Sequence, residues 1–206
     1  MIRHVGIFLL FTISIFPQKI DSLKISLFLS TNLNNNTILS RADNNNTYKS
    51  DPTLGAGIEI FITKNEKGNN GGIGIEFQSN NSIIGINGNY NSIPIYFFYD
   101  ISLGKDLSIY VPKLSLKLGY NILSATDSFI QETSPNNLLD KYKTSNGIYY
   151  ALGISSQLSK SFMLRILYSV NQGKVNVVDK DYLLTLTLGG IKCITQVSIF
   201  INLLLF

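Results

Sequence analysis

The sequence predicts an all-β fold: an eight-stranded antiparallel up-and-down transmembrane β-barrel preceded by a signal peptide. Three observations carry this expectation. Eight runs alternate apolar residues with small or polar ones. The connections between the runs alternate in length, and charged residues fall inside the runs on the face opposite the aliphatics. A period of two fits a soluble barrel with an apolar interior as well as a membrane barrel with an apolar exterior, so the charges must decide between them.

The first 22 residues, MIRHVGIFLLFTISIFPQKIDS, read as an export signal. Arg3 and His4 give a positive start, and the apolar run from Val5 to Phe16 is too short to span a bilayer but the right size for a secretory h-region. Ser22 marks only a rough cleavage point. The eight strand-like runs follow at 23–31, 53–64, 71–78, 92–102, 107–122, 147–158, 162–171 and 181–192. Segments 32–52, 79–91, 123–146 and 172–180 separate them on one side, three of them long and rich in Asn, Ser or Thr. On the other side the turns are short: 65–70 (NEKGNN), 103–106 (LGKD) and 159–161 (SKS). Membrane barrels show this asymmetry, with short periplasmic turns and longer outer loops.

One parity collects Leu23, Ile25, Leu27 and Leu29, then Leu54, Ile58, Ile60 and Ile62, then Ile73, Ile75 and Phe77, and so on through Leu184, Leu186 and Leu188. In the fifth run the parity changes at Pro112, where a one-residue bulge would restore a common face and release proline from donating to the ladder. The opposite parity carries small and polar residues, together with Lys24, Glu59, Glu76, Asp100, Lys113, Lys117 and Arg165. An eight-stranded barrel is just wide enough inside for its side chains. Large aliphatics facing lipid, with small residues and a near balance of three acids and four bases inside, is the arrangement that fits. Those seven residues are the expected lumen charge network. Tyr99, Tyr110, Tyr149, Tyr150 and Tyr168 fall near strand ends, where their rings suit the headgroup level.

The chemistry available is limited. Of 206 residues, 15% are charged and 45% hydrophobic, which suits one β-rich domain rather than a disordered chain. The net charge of +4 comes from scattered bases, which excludes a nucleic-acid partner. Cys193 is the only cysteine, so no intramolecular disulfide or thiolate metal cluster can form. His4 is the only histidine, and it lies in the signal segment, so the mature chain lacks a Ser-His or His-Asp dyad. Glu59 and Glu76 on adjacent strands are candidates for a carboxylate pair, but beside Lys and Arg they read as salt-bridge partners. Asp43 and Asp51 do not match a calcium loop, and the N-x-[ST] sites at Asn35, Asn45 and Asn80 follow from Asn-rich composition. No catalytic residue, metal site or cofactor is expected.

The export signal, the eight alternating strands, the loop asymmetry and the ending LTLTLGG make residues 23–193 resemble the small outer-membrane β-barrel superfamily. That group includes the opacity-type adhesins and the transmembrane barrel of the major outer-membrane protein A. The resemblance is architectural and rests on no residue-specific motif. It implies the cell outer membrane of a Gram-negative bacterium, with membrane lipid and the barrel-assembly machinery as partners. It also implies a structural or surface-adhesive role, with a host or surface ligand held by loops 32–52, 79–91 and 123–146. The alternatives are a secreted lipocalin-like barrel around an apolar ligand and a small porin. Such barrels end on the last strand with a terminal aromatic residue, whereas here Gly190 is followed by IKCITQVSIFINLLLF. Residues 194–206 are therefore expected to be an apolar tail or an additional strand.

Overall fold

The computed structural model describes residues 22–41, 44–50, 52–64, 68–81, 89–104, 111–125, 142–178 and 183–204. Residues 1–21 of the signal segment, Asp43, Asp51, Tyr110 and the loop stretches 82–88 and 126–141 lie outside the described residues. The strands are β1 (Ser22–Arg41), β2 (Asn44–Ser50), β3 (Thr53–Lys64), β4 (Asn70–Asn81), β5 (Tyr90–Ser102), β6 (Lys113–Ala125), β7 (Tyr142–Gln157), β8 (Phe162–Val178) and β9 (Leu183–Leu204). All neighbours are antiparallel, and β9 pairs back onto β1 to close the sheet.

β2 and β3 pair in succession along one side of β1, through Arg41↔Asn44 to Asn35↔Ser50 and then Asn32↔Thr53 to Lys24↔Phe61. They form a single wall interrupted at Pro52, which cannot donate to a ladder, so the nine strands build an eight-walled barrel. The expected loop 32–52 is thus largely β-hairpin. On the same side, β7, β8 and β9 also run on past the barrel, with Lys143↔Asn176 and Lys174↔Thr187 pairs.

Two further differences from the sequence expectation have clear causes. The fifth run does not continue through a bulge at Pro112. β6 starts at Lys113, and the proline carbonyl instead accepts a bond from the Leu103 amide at 3.0 Å in the β5–β6 connection. The boundary at residue 193 falls inside β9. Residues 194–204 continue that strand and pair with β1 from Ser22↔Leu204 to Asn32↔Ile194, which closes the barrel. Within this segment Gln196 and Ser198 point inward, while Val197 and Ile199 point outward.

The polarity of the barrel is inverted relative to a soluble one. Ser26, Glu59, Asp100, Ser115 and Arg165 are buried inside, while Leu29 and Leu54 on the outer face are 70% and 72% exposed. Along β7 and Leu158, the residue that follows it, the outward apolar positions extend from Ile148 to Leu158. Ten residue steps span about 33 Å along the strand, or about 25 Å in height at a tilt of ~40°. That height is the size of the apolar band of a membrane barrel. Tyr120, Tyr150 and Tyr168 sit on the outer face of three adjacent strands. Tyr149, grouped with Tyr150 and Tyr168 by sequence, is 0% exposed and points into the lumen, because its parity is opposite to that of Tyr150.

Candidate functional site

The lumen is the candidate site, and its shape comes from glycines set opposite large inward side chains. Tyr96 faces Gly74 on one neighbouring strand and Gly119 on the other. Phe28 faces Gly57, and Phe98 faces Gly72. The Phe28 ring occupies the space a Cβ on Gly57 would need, and the Tyr96 ring comes within 2.6 Å of where a Cβ on Gly74 would stand. Glycine here is what admits an aromatic ring into a barrel this narrow.

In the middle of the barrel, Arg165 of β8 reaches across to β3 and β5. Its Nη1 donates to both Glu59 oxygens at 2.9 Å, its Nη2 donates to Asp100 Oδ2 at 2.9 Å, and its Nε donates to Ser115 Oγ at 3.2 Å. Ser115 in turn donates to Asp100 Oδ1 at 2.6 Å. Lys117 Nζ lies 2.8 Å from Glu59 Oε1 and donates to Tyr96 Oη at 3.0 Å and Gln196 Oε1 at 2.9 Å. The Tyr96 hydroxyl donates to Glu59 at 2.9 Å. Lys117 also stands over the Tyr96 ring, 4.3 Å from its centroid. Charges this deeply buried are tolerable only when they are paired, and here Lys117 Nζ has three partners and each guanidinium nitrogen of Arg165 has at least one.

Lys24 and Lys113 stand apart from this cluster, half-buried toward the short-turn end. Lys24 Nζ lies over Phe61 at 5.5 Å, and Lys113 Nζ donates to the Gly68 carbonyl at 2.7 Å. Gly68 has φ of +77°, which glycine adopts without strain, and Ser102 N donates to the neighbouring Asn69 Oδ1 at 2.9 Å. These bonds tie the β3–β4 turn to the β5–β6 connection.

Toward the long-loop end the described lining combines Tyr90 and Leu123 with polar side chains, and Glu76 is the one buried charge among them. Glu76 Oε1 accepts from Ser30 Oγ at 2.6 Å and from Gln78 Nε2 at 3.0 Å. Asn171 Nδ2 donates across the lumen to Gln78 Oε1 at 3.0 Å and to Ser92 Oγ at 3.1 Å, and Ser92 donates to Asn121 Oδ1 at 2.6 Å. Among the described residues no lysine or arginine pairs with Glu76. Glu59 and Glu76 therefore belong to separate clusters and do not form a carboxylate pair.

The residues that sequence reasoning missed are the inward aromatics. Phe61 and Phe98 meet edge to face with centroids 4.8 Å apart, and Tyr96 and Tyr149 lie 5.3 Å apart. Their signal was the parity they share with the charges. Together with the ion cluster they occupy the middle of the lumen. Among the described residues, no group of three or more His, Cys, Asp or Glu side chains could hold a metal ion.

No protein-family model matches the chain, and no curated protein is similar to it in sequence. Its structure is similar to that of the outer membrane protein OprG from Pseudomonas aeruginosa, with a TM-score of 0.55 and 10% identity over 89% of this chain and 96% of that one. Neisserial surface protein A has a TM-score of 0.47 and 11% identity over 86% of this chain and 96% of that one. Ail, the attachment invasion locus protein of Yersinia pestis, has a TM-score of 0.47 and 9% identity over 86% and 98%. At such identities the likeness to OprG shows the fold, an eight-stranded up-and-down barrel of the outer-membrane kind.

Proposed function

We propose that this chain is a bacterial outer-membrane barrel protein that crosses the membrane with a plugged lumen and presents polar loops at the cell surface. The observation that supports this best is the inverted polarity. A salt-bridged cluster of Glu59, Asp100, Lys117 and Arg165 is buried inside, while Leu29, Leu54 and their outer-face neighbours are exposed. In water, the exposed belt would be an aggregation surface, whereas in lipid it is satisfied. A soluble lipocalin-like barrel would need the opposite arrangement. Membrane lipid and the barrel-assembly machinery are then its partners. The test is fractionation: recovery with outer membranes and a heat-modifiable gel shift in detergent are expected, and recovery in the soluble periplasm or medium without a shift would overturn the reading.

The role we assign is structural or surface-adhesive rather than catalytic. The strands that run past the barrel, β1 with β2 and β7 to β9, support this because they carry Asn-rich stretches such as 32–36 and 44–46 beyond the membrane-spanning part. The small-porin alternative is disfavoured by the aromatic and ionic filling. Planar bilayers should show no steady open level, and a sustained unitary conductance would favour the porin. Adhesion is tested by grafting loop 126–141 or the β1–β2 hairpin tip onto a non-binding barrel and measuring binding to host cells, with no gain of binding counting against it.

A further inference from the structure

Of the charged residues in the described strands, the pairing register places three on the outward face, and all are lysines: Lys49 of β2, Lys143 of β7 and Lys174 of β8. Lys174 shares parity on β8 with the exposed Ile166 and Tyr168. Lys143 opposes Asn176, two positions from Lys174 on the same face. Lys49 opposes Asn36, which opposes Ile191, and Ile191 shares parity on β9 with the exposed Val197 and Ile199.

The three lysines stand at one height. A row of directly opposed residues that leaves β1 at Ser26 returns to it at Thr37 after one circuit, about eleven positions higher, so a level line steps down by roughly 1.4 residues from wall to wall. The row through Lys174 reaches Asn45 three walls on, by way of Thr187 and Ser40. Lys49 is four positions below Asn45 on β2, which makes it level with Lys174. Lys143, one wall back, is two positions above the residue opposed to Lys174 and so is level with it to within about one residue. Their depth is that of the headgroups. Ser145, opposed to Lys174, lies three positions past Ile148, no more than about 10 Å along the strand or about 8 Å in height. The headgroup region above a hydrocarbon core is about 5–8 Å deep.

We propose that this level of the outward face binds the phosphate headgroups of anionic outer-leaflet lipid, with Lys143 and Lys174 taking one phosphate between them and Lys49 a second. The proposal rests on the outer-membrane reading given above. Lys143 and Lys174 are diagonal neighbours across the β7–β8 pair, with backbone positions about 7–8 Å apart. Two like charges that close repel unless an anion stands between them. Lysine binds phosphate as a point charge, and each base at an anionic membrane surface strengthens the attraction about fivefold. The exposed Ile148 and Ile166 lie directly below, so one lipid meets lysine with its headgroup and the aliphatic belt with its acyl chains.

The experiment refolds the full chain in maltoside micelles, which contain no phosphate, and titrates it with short-chain phosphatidic acid or with diacylglycerol of the same chain length. Bound lipid is counted by native mass spectrometry. Phosphatidic acid should bind more tightly than diacylglycerol. Lys143→Gln with Lys174→Gln should weaken its binding about 25-fold and Lys49→Gln about fivefold, while Lys143→Arg with Lys174→Arg should keep it. Lys160→Gln, in the exposed turn at the opposite end, should leave it unchanged. Inorganic phosphate at the same concentration should fail to displace the lipid. Equal affinity for the two lipids, undiminished affinity in the double glutamine variant, or displacement by inorganic phosphate would overturn the proposal. Cold-gel migration of each sample separates this from the reading it rests on. A wild-type chain without the heat-modifiable form sinks both, whereas a heat-modifiable barrel indifferent to lipid charge sinks the lysine site alone.

Discussion

Arg165 and Glu59, 106 positions apart in sequence, meet in the middle of the barrel, where one guanidinium nitrogen donates to both carboxylate oxygens at 2.9 Å. Glu59 is also the acceptor for Lys117 and Tyr96, so four walls of the barrel are joined through one carboxylate. Glu59→Ala should leave Lys117 and part of the Arg165 fork buried without a counter-charge. Breaking a buried pair from one side costs on the order of 3 kcal/mol. Urea titration of the refolded protein in detergent micelles would show this as a lower midpoint, and an unchanged midpoint would count against the cluster's contribution.

The two cations of the cluster should not be equivalent. Lys117→Met leaves Glu59 bound by Arg165 and Tyr96, whereas Arg165→Met deprives both Glu59 and Asp100 of their guanidinium and leaves Asp100 with Ser115 alone. Arg165→Met should therefore lower stability by about 3–5 kcal/mol and Lys117→Met by clearly less. The same titration compares them, and a larger loss for Lys117→Met would show that the walls relax around Arg165.

Gly74→Ala tests whether the glycines make room for aromatics. The new methyl would stand 2.6 Å from the Tyr96 ring and 2.9 Å from Glu59 Cγ. Tyr96 cannot swing aside without losing its bonds to Glu59 and Lys117. Overpacking of this kind costs about 1–3 kcal/mol. Adding Tyr96→Leu to Gly74→Ala should recover part of that loss in a double-mutant cycle, and strict additivity would place the strain elsewhere.

Much of the barrel was legible in the sequence, because a period of two survives even when the facing assignment is ambiguous. Glu59, Asp100, Lys117 and Arg165 settled the facing, since a charge inside a strand marks the face that lipid does not touch. The strand ends were less legible. Stretches such as NLNNNTILS in β1 mix polar and apolar residues on both parities, so alternation gives no end point there. Tyr149 was misplaced because tyrosine suits both a wet interface and a packed lumen, and only its parity separates the two. Which acid meets which base depends on the stagger of the walls around the barrel. Residue spacing does not reveal that stagger, so Glu76 could not be told apart from Glu59.

The apolar C-terminal stretch gives the sharpest test of how the barrel closes. The hydrogen-bond partners of Ser22–Asn32 on one side of β1 are supplied by residues 194–204 of β9. Gly189, Gly190 and the apolar run after them suggest an ending, but the inward Gln196 places its Oε1 2.9 Å from Lys117 Nζ, within the central cluster. Deleting 194–206 would expose the lower halves of β1 and β8 as two unpaired edges in hydrocarbon, where each unsatisfied backbone group costs several kcal/mol. The truncated chain should fail to give the compact, heat-modifiable form on cold gels, while Gln196→Ala, which keeps the ladder, should retain it with a lower urea midpoint. A truncated chain that still migrates as a folded barrel would mean that β1 and β8 can close the wall without this segment.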